Sequence, residues 1–91
     1  MAGRYRIDFA PAARRQLAKL TPDVQRRIAL AVDRLEVDPR PAGVIRLTDG
    51  ARVPMWRIRI GDYRVIYEIH DDRLLVLVIR IGDRANVYRL R

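Results

Sequence analysis

The sequence predicts an α+β fold: an antiparallel sheet of about four strands with a two-helix hairpin on one face, in the order β-α-α-β-β-β. Three observations lead there. Apolar and polar residues alternate at the start of the chain, with Tyr5, Ile7 and Phe9 on one side. Two stretches with apolar residues at helical spacing follow, each opened by a proline. The second half is then rich in β-branched and aromatic residues, cut by Gly61-Asp62, Asp71-Asp72 and Gly82-Asp83. Ninety-one residues without repeats or low-complexity segments suit one domain spanning residues 1–91.

Each element has its own justification. In the first strand, Arg4, Arg6 and Asp8 take the side opposite Tyr5, Ile7 and Phe9. Pro11 suits the first turn of a helix whose buried stripe is Ala13, Leu17 and Leu20. Thr21-Pro22 is a cap followed by a pre-set first turn, so a second helix starts at once. Its stripe is Val24, Ile28, Ala31 and Leu35, and Asp38-Pro39-Arg40-Pro41-Ala42-Gly43 ends it. Ile45-Arg46-Leu47 is short and ambiguous, and Thr48-Asp49-Gly50 turns the chain. Leu74 to Ile81 is almost continuously apolar, the mark of a strand in the middle of a sheet or under two layers. The tail from Arg84 to Arg91 carries no readable periodicity.

Composition narrows the function classes. The formal net charge is +8 and the isoelectric point is near 11.2, which favours polyanionic partners. Lys19 is the only lysine, so the remaining positive charge is arginine. There is no cysteine, so a disulfide framework and a thiolate zinc site are both excluded. With one histidine and no clustered carboxylates, neither a catalytic metal nor a cofactor is expected. His70, beside a solvated turn, is given no role. No apolar run approaches membrane-spanning length and no apolar leader precedes the first strand. The expectation is a soluble, cytoplasmic protein without membrane contact.

The most informative stretch runs from Met55 to Glu68. Gly at the first of two turn positions, Gly61-Asp62, is type II′ hairpin chemistry. That loop pairs Ile60 with Tyr63, Arg59 with Arg64, Ile58 with Val65 and Arg57 with Ile66. Arg57, Arg59 and Arg64 then share one face, and Trp56, Ile58, Ile60, Tyr63, Val65 and Tyr67 share the other. Like charges opposite one another across two strands are unfavourable, so an anion is expected among them. The helices need the apolar face, which leaves Arg4, Arg6, Arg57, Arg59 and Arg64 on an uncovered, basic surface. Tyr5, Tyr63 and Tyr67 are expected in the core. Tyr88 is claimed by no apolar pattern.

At this point the chain resembles a toxin of the RelE/ParE superfamily, RelE-like branch. The resemblance runs from the opening strand and helical hairpin through Asp38-Pro39 and Arg46-Leu47. It is sharpest from Trp56 to Tyr67 and closes with Val76 to Tyr88. It implies a ribosome-dependent endoribonuclease that cuts messenger RNA in the ribosomal A site. It also implies a cognate antitoxin, and operator DNA bound by the toxin–antitoxin complex. Arg57, Arg59, Arg64, Arg84 and Tyr88 would form the active-site set, without a metal. Arg57, Arg59 and Arg64 would surround the scissile phosphate, Arg84 would assist the leaving oxygen, and Tyr88 would orient or stack on a base. Arg4, Arg6 and Arg80 are further RNA-contact candidates. Leu30 and Val37, off the main stripe of the second helix, are candidates for an antitoxin contact.

The chemistry suits arginine. In-line attack of a ribose 2′-oxygen on the adjacent phosphorus builds charge on a phosphorane, and guanidinium groups neutralise that charge in a bidentate fork. RelE enzymes generally carry lysines where this chain has Arg57 and Arg59. These two are therefore assigned to positioning and electrostatics, with a ribosomal group or water taking the 2′ proton. Asp83 stands where relatives often have histidine and reads as a turn residue after Gly82. The competing class is non-enzymatic: a ParE-like inhibitor of DNA gyrase, or an inactive relative that only binds its antitoxin. Generic DNA binding alone fits poorly, since no exposed recognition helix is evident.

Overall fold

In a computed structural model that describes residues 4–47 and 53–83, five strands form one sheet in the order β1-β5-β4-β3-β2. The strands are β1 (Arg6–Phe9), β2 (Ile45–Leu47), β3 (Met55–Ile60), β4 (Tyr63–His70) and β5 (Leu75–Asp83). The ambiguous segment Ile45–Leu47 is thus a strand, added antiparallel to β3 as a fifth member. One pairing departs from the antiparallel expectation: β1 runs parallel to β5. Helices α1 (Pro11–Ala18) and α2 (Pro22–Asp33) lie between β1 and β2 in the chain. Their crossover carries the chain from one edge of the sheet to the other. The antiparallel run from β2 to β5 then brings the last strand back alongside the first.

Local chemistry sets the helices. Pro11 and Pro22 open them, where a missing N–H costs nothing. The Thr21 hydroxyl accepts from Val24 N–H at 3.4 Å, as an N-cap should. Gln25 Nε2 donates to Leu20 O at 2.8 Å, closing the corner between the helices. A 3₁₀ turn, Arg34–Glu36, finishes the second helix. Ala13, Ile28, Val32 and Leu35 pack from this layer against Ile58, Val65, Tyr67, Ile69, Val76, Val78 and Ile81 of the sheet.

Two polar contacts pin the loop after the helices. Tyr67 is fully buried, and its hydroxyl donates to Pro39 O at 2.7 Å; burial pushes its phenol above the usual tyrosine range. Arg40 grips Asp71 through Nη1 at 3.3 Å and Nη2 at 2.9 Å, and Tyr5 donates to the same carboxylate. The Arg40 guanidinium also lies 4.9 Å from the Trp56 ring centroid. Arg40 and then Tyr5 hold Asp71 below the ordinary carboxylate range. A carboxylate depressed in the folded state stabilises fully above its unfolded pKa, and that contribution is lost as pH falls through the folded value. Asp71→Asn should therefore be less stable than the parent at pH 7. The gap should close on acidification below about pH 4 and narrow in high salt, as thermal melts at several pH values will check.

Candidate nucleic-acid interface

The arginine hairpin forms in the register read from its turn. Ile60 faces Tyr63, Arg59 faces Arg64, Ile58 faces Val65 and Arg57 faces Ile66. Gly61 sits at φ 59, the left-handed region that this turn demands of its first central residue. A side chain there would meet Arg27, whose Nη2 lies 2.8 Å from the position of an added Cβ.

Strand β5 extends the pattern in a way periodicity did not reveal. A bulge opposite the Ile66–Tyr67 step shifts the register: Tyr67 pairs with Val78, but Ile66 pairs with Arg80 rather than Ile79. The extra residue, Ile79, inverts the alternation that follows. Without it Arg80 would share the helix-facing side of Val76 and Val78; with it, Ile81 enters the core and Arg80 turns to the helix-free face. A core spacing of two and then three residues at Val76, Val78 and Ile81 is the signal in the sequence. The near-continuous apolar run hid it.

Two rows now cross the three central strands on that face, Arg57–Ile66–Arg80 and, beside it, Arg59–Arg64–Gly82. Strands about 4.8 Å apart and residues two positions apart in a strand put these origins within about 12 Å of one another. Ile66 is buried between its flanking arginines, and Gly82 offers no side chain opposite Arg64. Arg64 is 7% exposed, the only buried charged residue among those described. Arg59, Arg64 and Arg80 have no ion-pair partner among the described residues, and Arg80 Nε is buried without a hydrogen bond there. Burying an uncompensated charge is costly. A face that holds these groups together can pull a phosphate out of water and fork its oxygens.

The other candidates are placed differently. Arg4 precedes β1 and lies 3.8 Å from Glu36, while Arg6 lies 3.4 Å from Asp8. Both belong to the sheet edge at β1, away from the cluster. Arg84 and Tyr88 lie outside the described residues. His70 Nε2 is 2.8 Å from Glu68 Oε1, a pairing within β4. Leu30 and Val37 are 60% and 68% exposed. Among the described residues no cluster of metal-ligating side chains occurs, and no helix is long and apolar enough to cross a membrane.

Comparison with known proteins agrees with this architecture. Residues 7–88 match the family model described as ParE toxin of type II toxin-antitoxin system, parDE. Toxin RelG of Mycobacterium tuberculosis is 31% identical over 86 residues, covering 93% of this chain and 97% of the relative. The archaeal RelE–RelB complex from Pyrococcus horikoshii superposes with TM-score 0.79 at 28% identity, covering 91% of this chain and 98% of that one. The toxin–antitoxin complex RelBE2 of Mycobacterium tuberculosis gives TM-score 0.78 at 28% identity, covering 94% and 98%. The basic hairpin, the helical layer behind it and the family match over nearly the whole length agree: this chain belongs to the RelE/ParE superfamily of toxins from type II toxin–antitoxin systems.

Proposed function

We propose that this toxin is a ribosome-dependent endoribonuclease that cleaves messenger RNA in the A site by 2′-oxygen attack on the adjacent phosphate. The observation that carries the reading is the convergence of Arg57, Arg59, Arg64 and Arg80 on a helix-free face, with Arg64 buried. Positively charged forks that never deprotonate stabilise the phosphorane and hold the backbone for in-line attack. Arg84 and Tyr88 complete the set as leaving-group assistant and base-stacking partner. Arg4 and Arg6, each beside a carboxylate at the sheet edge, serve as peripheral contacts to ribosomal RNA. The chemistry needs no metal or cofactor.

The partner is a RelB-type antitoxin, as in the complexes of the related proteins, with Leu30 and Val37 offering exposed apolar contacts. The assembled pair binds operator DNA, and both act in the cytoplasm. One observation favours a second reading: the matching family description is that of the ParE toxin, which points to gyrase inhibition without RNA cleavage. Inducing the protein in growing cells and mapping new messenger-RNA ends separates the two. In-frame cuts that vanish in Arg64→Ala and Arg84→Ala support the nuclease. Intact messages with DNA damage replace it with the gyrase inhibitor.

A further inference from the structure

The outer edge of β3 ends in a small, open pairing position that nothing in the toxin reading accounts for. A two-residue loop makes Ile60 and Tyr63 a hydrogen-bonded pair, so the backbone groups of Ile60 and Ile58 point toward β4. Those of Met55, Arg57 and Arg59 point the other way. Strand β2 takes the first two through Leu47 and Ile45. Its continuation would set Gly43 opposite Arg59, but the chain leaves the sheet there. Val44 N–H donates to Pro41 O at 3.1 Å, and Gly43 takes φ 87. The Arg59 N–H and C=O are left facing outward, without a strand partner among the described residues.

A cavity of about 380 Å³ fills the wedge so opened. Ala31, Pro41, Ile58 and Ile60 give it apolar walls, and Arg34 and Arg59 also line it. Neither arginine has an ion-pair partner among the described residues. Arg59 is the residue the two features share: it lines the wedge at the sheet edge and belongs by register to the arginine row on the helix-free face.

We infer that this wedge is a subsite for one unpaired nucleotide of the RNA strand, next to the phosphate held by the arginine cluster. Its base lies against Pro41, Ile58 and Ile60 and pairs its edge with the Arg59 backbone, while Arg34 takes its phosphate. Three features select a nucleotide. The volume falls in the range of small-ligand pockets, about 300–1,000 Å³. The Watson–Crick edge of every base sets a hydrogen-bond acceptor beside a donor, the complement of an outward N–H and C=O on one residue. An added peptide strand needs several successive backbone pairs, and this edge offers a single residue before Gly61 ends the strand. The inference rests on the RNA-cleavage reading for its biological meaning but not for its test.

The test is titration of the ¹⁵N-labelled full chain with AMP, GMP, CMP and UMP. Saturable shifts are expected at the amides of Arg59, Gly43 and Ala31 with each of the four nucleotides. Arg34→Gln should weaken that binding about tenfold, and Ala31→Leu should abolish it by filling the wedge. In cleavage maps, Arg34→Gln should lower cutting about equally whichever base flanks the cut, because a phosphate contact carries no sequence information. For a short single-stranded RNA, the same change should lower the slope of log affinity against log salt by about 0.7. Shifts confined to the Arg64 cluster, with the Arg59 and Gly43 amides unmoved, overturn the subsite while leaving the nuclease reading intact. So do edge amides that respond only to the antitoxin. Loss of messenger cleavage with the nucleotide shifts retained would fault the nuclease reading instead.

Discussion

Replacing Arg64 with methionine is expected to lower ribosome-dependent cleavage by about a thousandfold while leaving the protein as stable as before, or more so. The opposite signs follow from one fact. Arg64 is buried at 7% exposure, faces Arg59 across the hairpin, and has no counter-ion among the described residues. An apolar side chain of similar length removes both the desolvation cost and the repulsion, worth about 1 kcal/mol. On the proposed nuclease reading it also removes a fork whose hold strengthens from phosphate to phosphorane. Arg64→Lys keeps the charge but loses the planar fork, so its cleavage rate should fall between the two. Cleavage of a programmed ribosome and urea unfolding of the same variants provide the measurements. A methionine variant that cuts normally, or that unfolds far more easily than its parent, contradicts the account of this residue.

The second large effect concerns Tyr67, at the centre of the sheet and fully buried. Tyr67→Ala leaves a ring-sized hole between β4, β5 and the helical layer and should cost about 3–5 kcal/mol. That is a large part of the stability of a domain this size, so poor expression or loss of a cooperative unfolding transition is expected. Tyr67→Phe keeps the ring and removes only the bond from its hydroxyl to Pro39 O. The orphaned carbonyl should cost about 1–3 kcal/mol. Because Pro39 begins the loop that leaves the sheet opposite Arg59, the phenylalanine variant should also raise amide exchange through residues 39–44. Denaturant titration measures the first effect and hydrogen exchange the second.

Two kinds of information separate cleanly in this molecule. Where one face of an element is buried and the other wet, the order of residues was enough. Tyr5-Ile7-Phe9 announced a strand, Thr21-Pro22 a helix start, and Gly61-Asp62 a hairpin whose four cross-strand pairs all formed as read. A two-residue turn leaves no freedom of register. Three members of the arginine cluster, Arg57, Arg59 and Arg64, were therefore legible before any coordinates. The parallel pairing of β1 with β5 was not, because pairing between segments nearly seventy residues apart leaves no local mark.

Nor was the fourth arginine. Arg80 reaches the cluster only because the bulge at Ile79 reverses the alternation of β5. A strand apolar on both faces hides such a slip, since neither face is marked by polarity. The depth of Arg64 and the wedge beside Arg59 are likewise properties of neighbours: what lies opposite, and where the chain at Pro41–Gly43 departs from the sheet. Periodicity and turn chemistry act over a few residues and so can be read along the chain. Burial, missing counter-charges and cavities arise between segments distant in sequence, and only packing creates them.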